Sequence, residues 1–341
     1  MSTQAADWMA SLPAELRKRA RAGPQPRWIG PMLATLTAEP FSGAGWIFEP
    51  KLDGERCLTF VQGGRARLLS RNGKPLNGTY PELVEPLGRQ PAGDYIADGE
   101  IVALQDGVTS FAQLQQRMQV RDPAAARSRG VEVFYYVFDL LYLDGRDLRE
   151  LPLEHRKALL RRAFDFRGPL RFTEHRERDG EAYYRECCRD RLEGMIAKRL
   201  DSTYISRRSR DWLKVKCWNA QEFVIGGYTD PQGKRTGFGA LLLGYYEDGR
   251  LRYAGKVGTG FNTGILEDLG GRLAAIETPE CPFAGETPAE RGVHWAQPKL
   301  IAQVRFTEWT KDGKLRHPRF LGERADKDAK EIVRERAKGT R

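Results

Sequence analysis

Glu49-Pro50-Lys51-Leu52-Asp53-Gly54-Glu55-Arg56 is the stretch that decides how this chain of 341 residues is read. Trp46, Ile47 and Phe48 before it make an apolar strand, Asp53-Gly54 is a turn dipeptide, and Cys57 to Val61 read as the return strand. The pattern predicts Lys51 at the mouth of a sheet. A lysine attacks phosphorus or carbonyl carbon only as the neutral amine. For an ordinary lysine, neutrality at pH 7 costs roughly 4 to 5 kcal/mol, which neighbouring cations and partial burial reduce. The same eight residues also fit a plain hairpin with a solvated lysine beside its turn.

Five further segments follow in order. They are Ser70-Arg71-Asn72-Gly73, Asp98-Gly99-Glu100, Tyr136-Val137-Phe138-Asp139, Glu193-Gly194-Met195-Ile196-Ala197-Lys198 and Trp212-Leu213-Lys214-Val215-Lys216. A last one runs from Arg316-His317-Pro318-Arg319-Phe320 to Arg324-Ala325-Asp326-Lys327. With the lysine segment at their head, these resemble the ordered motifs of the covalent nucleotidyltransferases, and most closely the ATP-dependent DNA ligases of the bacterial end-joining type. The resemblance runs from about Pro31 to Asp328.

Composition narrows the classes. A net charge of +10 and a pI near 9.4 point to a polyanionic partner, nucleic acid before any other. The five cysteines, Cys57, Cys187, Cys188, Cys217 and Cys281, show no paired metal spacing, so neither structural zinc nor a disulfide framework is expected. No secretory leader or membrane-spanning run is read, which predicts a cytoplasmic protein with reduced cysteines and no membrane partner.

The chain reads as α+β, with antiparallel sheets and segregated helices, followed by short strands only. Residues 1–30 form an N-terminal extension in which Trp8, Met9, Leu12 and Leu16 have helical spacing, either packing on the body or reaching DNA. The expected nucleotidyltransferase (adenylation) domain covers 31–217, with helices near Phe111 to Val120, Leu153 to Phe164 and Gly180 to Arg191. Residues 218–328 read as an OB-fold barrel of four or five short strands with one helix near Gly264 to Ile276. Residues 329–341 read as a basic tail.

The resemblance implies roles for individual residues. Lys51 would carry AMP, with ATP as donor and Mg²⁺, or Mn²⁺ in its place, held by Glu100 and Glu193. Lys214 and Lys216 alternate on a strand and so share a face, where they would bind the α-phosphate region, although lysines also solubilise edge strands. Arg56 and Arg71 would contact nucleotide and nick, and Lys198 a phosphate. Phe138, otherwise a core residue, would stack on adenine, whose edge the backbone near Glu49 would recognise. Arg316, Arg319, Arg324, Asp326 and Lys327 would act on pyrophosphate.

The implied function is sealing of 5′-phosphate/3′-hydroxyl breaks in duplex DNA. The partners expected are nicked DNA and a Ku-type end-binding protein, with a monomeric chain and no fused polymerase or nuclease. An RNA ligase or a GTP-using capping enzyme shares most of these motifs. An inactive OB-type DNA-binding protein would have lost them together.

Overall fold

The computed structural model describes residues 8–118, 120–231, 233, 235–285 and 292–336. Parts of two expected segments, residues 1–7 of the N-terminal extension and 337–341 of the tail, lie outside them. The chain divides into two compact units, one ending at Cys217 and one covering Trp218–Arg336.

Among the described residues the first unit carries thirteen strands: β1 (Arg21–Ala22), β2 (Leu33–Leu36), β3 (Gly43–Lys51), β4 (Glu55–Gln62), β5 (Arg65–Ser70), β6 (Tyr95–Gln105), β7 (Val108–Thr109), β8 (Val133–Leu143), β9 (Arg146–Asp147), β10 (Leu170–Phe172), β11 (Arg176–Arg178), β12 (Gly194–Arg199) and β13 (Arg208–Lys216). One sheet runs β1-β9-β8-β6-β4-β5, with β10 and β7 attached, and the other runs β11-β3-β12-β13-β2. All pairings are antiparallel except β10 with β8 and β13 with β2.

This corrects the hairpin expected around Asp53-Gly54. β3 pairs with β11 and β12 in the second sheet, and β4 pairs with β5 and β6 in the first. The turn dipeptide therefore carries the chain between sheets. Gly54 is needed for packing rather than for a hairpin turn, because a Cβ there would stand 2.2 Å from the Ile101 carbonyl oxygen. A local turn signal cannot tell which sheet the next strand joins.

Period-two alternation sorts the side chains of both sheets. Cys57 and Val61 enter the core under the helices Pro81–Gly88 and Leu153–Ala163, while Leu58 and Phe60 enter a second core with Phe138 and Trp212. In the other sheet Phe48, Met195, Ala197 and Val215 pack beneath the helix Gly180–Arg189. The opposite face of β3, β12 and β13 carries Glu49, Lys51, Lys198, Lys214 and Lys216, with Ile47, Ile196 and Trp212 among them. The N-terminal extension packs on the first core, with Leu12 and Ala20 buried and Trp8, Met9 and Leu16 against them.

The second unit holds β14 (Asn219–Thr229), β15 (Leu241–Glu247), β16 (Arg250–Val257), β17 (Val293–Phe306), β18 (Glu308–Trp309), β19 (Leu315–Arg316) and β20 (Arg319–Glu323), with one helix, Thr263–Ala274. Its main sheet runs β16-β15-β14-β17-β20, the five-stranded, single-helix build of an OB-fold domain. Ala329 and Ile332 are buried, and Gln221 bonds to the backbone of Val333 and Glu335, so the start of the expected tail lies along this domain. Among the described residues, no helix is long and apolar enough to cross a membrane.

Candidate active site

Register places the site. In the second sheet Lys51 lies opposite Gly194, which lies opposite Lys216; one pair further along, Glu49, Ile196 and Lys214 line up across the same strands. Lys51, Glu49, Lys198, Lys214 and Lys216 thus share the face turned away from Phe48 and Val215. Gly194 makes the approach possible, since a Cβ there would lie 2.0 Å from the Val215 carbonyl oxygen.

Two clusters occupy this face. In the first, the Lys51 ammonium forms an ion pair with Glu193, the lysine 19% and the acid 7% exposed. Burial pushes the Glu193 carboxyl up, but the charges of Lys51, Lys216 and Lys214 outweigh it and hold the group below the usual carboxylate range. The charges of three lysines thus act on one ionised acid beside the point where Lys51 reaches solvent.

In the second cluster Glu49 sits between two other lysines. Lys157, from the helix Leu153–Ala163, donates to Glu49 Oε1 at 2.5 Å and to the Thr173 carbonyl at 3.2 Å. Lys198 Nζ lies 2.5 Å from Glu49 Oε2 without the alignment of a hydrogen bond. All three side chains are 3% exposed or less. Burial lowers the Lys198 pKa, Glu49 raises it and Lys157 lowers it again, leaving it at about 8. The expected phosphate contact, Lys198, is thus enclosed, its ammonium over the rings of Phe138 at 4.1 Å and Trp212 at 4.2 Å.

The first sheet supplies the opposing side. Arg56 Nε and Nη2 each donate to Asp98 at 2.6 Å, and the Tyr204 hydroxyl donates to the same carboxylate at 2.6 Å. The Arg56 guanidinium lies 4.7 Å from the centre of the Phe138 ring. Glu100, half-buried on β6, is the cross-strand partner of Arg56 and shares its face. Arg71, half-buried, follows β5 in the Ser70–Gly73 turn.

The last motif separates into an exposed part and a buried part. Arg316 and Arg319 are exposed, Arg316 pairing with Glu308 at 2.6 Å. Arg324 is buried and forks onto Asp326 with two 2.9 Å bonds, and Lys327 pairs with Glu222 within the same domain. Their sequence spacing gives no sign of this, because two-residue Arg-x-Asp spacing also occurs on open strands.

The cysteine expectation also changes. Cys188 at the end of the helix Gly180–Arg189 and Cys217 after β13 form a disulfide across 29 residues, while Cys57, Cys187 and Cys281 are free. The two meet because Cys217 N–H donates to the Glu193 carbonyl and Tyr184 Oη donates to that of Lys216. Spacing in sequence carries none of that. Lys157 was likewise missed, since a lysine in an amphipathic helix reads as solvated.

A strand lysine amid cations and a carboxylate, in a two-sheet domain followed by an OB-fold domain, is the arrangement expected from the resemblance to the covalent nucleotidyltransferases. Comparison with known families narrows this. The ATP dependent DNA ligase domain matches residues 31–216, and the ATP dependent DNA ligase C terminal region matches 234–327. The chain belongs to the ATP-dependent DNA ligase family.

It is 40% identical over 338 residues to the multifunctional non-homologous end joining protein LigD of Pseudomonas aeruginosa, covering 97% of this chain and 39% of that protein. For the LigD protein of Mycolicibacterium smegmatis the figures are 36% over 339 residues, 98% and 42%. The chain thus spans about two fifths of these relatives' length. A solved structure of mycobacterial DNA ligase D complexed with ATP and MES is similar, at 38% identity and a TM-score of 0.65, over 90% of this chain and 98% of that one.

Proposed function

We propose that the chain seals 5′-phosphate/3′-hydroxyl breaks in duplex DNA, with ATP as the source of a covalent lysine–AMP intermediate. The observation that carries this reading is the first cluster, in which Lys51 shares a strand face with Lys214 and Lys216 and pairs with Glu193.

The ion pair opens when nucleotide enters. The Lys51 amine, having lost a proton, attacks the α-phosphorus; an N–P bond forms, the α–β bridging bond breaks, and pyrophosphate leaves. Lys214 and Lys216 hold the non-bridging oxygens as negative charge shifts across them. A DNA 5′-phosphate then takes the AMP from Lys51, and a 3′-hydroxyl displaces AMP from that phosphate.

Glu193 fits a divalent cation: it is ionised, buried and beside the lysines that would meet phosphate. Mg²⁺ takes one or two carboxylates and completes its shell with phosphate and water, so Glu193 with Glu100 is the donor set we assign, and Mn²⁺ suits it too. When bound, the cation neutralises phosphate charge. Arg56, fixed by Asp98, would position the nucleotide from the opposite sheet, and Arg71 the strand end. Phe138, 8% exposed with cations over its ring, would form the wall beneath the adenine rather than an open platform. Glu49 and Lys198 would support β3 from inside, and the exposed Arg316 and Arg319 would meet pyrophosphate.

The curated relatives are named as end-joining proteins, and a Ku-type end-binding partner in the cytosol of a bacterium follows from that reading. Failure of every cognate end-binding protein to stimulate sealing would remove the partner alone. The chemistry is tested by transfer of label from α-labelled ATP and GTP to wild type and to Lys51→Ala. Acid-labile label from ATP, absent in the variant, is expected; label from GTP would indicate a capping-type enzyme, and none from either would end the ligase reading.

A further inference from the structure

A lysine is seldom enclosed unless its ammonium is paired, and Lys157 is 3% exposed. It follows Arg156 on the helix Leu153–Ala163, which packs on β8. Together the two side chains grip β8 on both sides of Phe138. Arg156 forks onto Asp139, the residue after Phe138, through bonds of 2.8 and 2.9 Å. Lys157 donates to the Thr173 carbonyl at 3.2 Å, and the Thr173 N–H donates to the carbonyl of Val137, the residue before Phe138, at 2.9 Å.

Lys157 also crosses to the other sheet. Its ammonium donates to Glu49 Oε1 at 2.5 Å, and Glu49 stands two residues before Lys51 on β3. The same ammonium lies 4.6 Å from the centre of the Phe172 ring on β10, and Phe172 is the register partner of Val137. One enclosed side chain therefore ties the strand that carries Lys51 to the backbone beside Phe138.

The reaction gives this link a consequence. In the ligase reading the adenine rests against Phe138, from the first sheet, while the attacking amine comes from β3, in the second. The first sheet then places the α-phosphorus and the second approaches it, so the spacing of the two sets the attack distance. Attack needs the reacting atoms about 3 to 3.5 Å apart and aligned, and a misplacement of about 1 Å costs on the order of a hundredfold in rate. Enclosed as it is, Lys157 acts through Glu49 and Thr173 and not by touching the nucleotide.

We propose that Lys157 is a positioning residue for self-adenylation, its ammonium fixing the distance between β3, which carries Lys51, and the Phe138 wall. The proposal rests on the ligase reading and deepens it. The motif residues supply the reacting groups, and a helix lysine outside the motifs holds two of them at working distance.

The test is single-turnover self-adenylation, with label uptake from α-labelled ATP followed over time at several ATP concentrations on the full chain, wild type and Lys157→Met, each freed of bound AMP. Lys157→Met keeps the length of the side chain and removes both bonds. Its rate constant at saturating ATP is expected to fall about tenfold to a hundredfold, with the half-saturating concentration within about threefold of wild type, because the base wall is intact and the attack distance is not. A structural role alone would lower the fraction of chains that take label and leave the rate constant of the rest unchanged. That outcome would overturn the proposal, as would a raised half-saturating concentration with an unchanged limiting rate. Where Lys157→Met does not fold, Lys157→Gln, which keeps a donor but is too short to hold both partners, is read by the same outcomes. Collapse of both variants would make Lys157 a requirement of the fold and overturn the proposal. No label on the wild type would remove the ligase reading and this proposal with it, a result separate from any difference between wild type and variant.

Discussion

Glu193 and Glu49 are two versions of one arrangement, an acid between lysines on the same sheet face. They differ in what surrounds them. Glu193 faces Lys51, which is 19% exposed, and the charges of Lys214 and Lys216 reach it as well. Glu49, two residues before Lys51 on β3, is enclosed with Lys157 and Lys198, all at 3% exposure or less. An ion pair that reaches water can part and exchange its acid for a phosphate; one that is sealed cannot, because each separated charge would lack solvation. Access to water, and not residue type, distinguishes the two clusters.

The largest effect expected is at the sealed acid. Glu49→Ala leaves Lys157 and Lys198 without their counter-charge and should cost about 3 to 5 kcal/mol of stability. Urea unfolding measures it, and a loss under 1 kcal/mol would show that the cluster is not closed to water. In the open cluster the cost should fall on rate. Lys216→Ala should slow self-adenylation roughly a hundred- to a thousandfold, as removal of one charge-stabilising group does, with little change in melting temperature. Destabilisation as large as that of Glu49→Ala would erase the distinction.

The disulfide fastens the end of β13, the strand that carries both lysines of the open cluster. For a loop closed across 29 residues, Cys188→Ser should cost about 3.6 kcal/mol by the chain-entropy argument. The melting temperature of the variant, compared with that of oxidised and reduced wild type, measures it. Equal melting of all three would mean that the bond contributes nothing.

The smallest effect depends on pH. Lys198 falls from 10.5 to about 8 on folding. Between those values the unfolded chain holds a proton that the folded chain has released, so this group's contribution to stability rises with pH. Its cost is full below about 8 and gone above about 10.5. Wild type should therefore gain on Lys198→Met as pH rises through that window, by on the order of 3 kcal/mol. Chemical unfolding of both proteins at several pH values tests the sign. A gap that stays constant would show that Lys198 does not change protonation there.

Much of the open cluster was legible. Lys214 and Lys216 could be set on one face because strand periodicity is two, and Lys51 stood out through its neighbours in the chain. The α+β domain and the OB-fold domain after it were legible for the same reason, since alternation and turn residues are local. What was not legible depends on partners distant in sequence. The β3–β4 hairpin was misread because Asp53-Gly54 says nothing of β12, which pairs with β3 from more than a hundred residues away. Lys157 holds the Glu49 side chain across 108 positions, a pairing that the neighbours of neither residue in the chain announce. Cys188 meets Cys217 only after β12 has paired with β13 and the helix Gly180–Arg189 has docked. The Arg324–Asp326 pair is buried, which their two-residue spacing does not reveal.

The central claim is that Lys51, and none of the other lysines on its sheet face, takes the nucleotide. Peptide mapping by mass spectrometry after incubation of the wild-type chain with ATP and Mg²⁺ tests it directly. The account predicts the mass of one AMP on the peptide that contains Lys51 and on no other. AMP on Lys198, Lys214 or Lys216, or on no lysine, would contradict it.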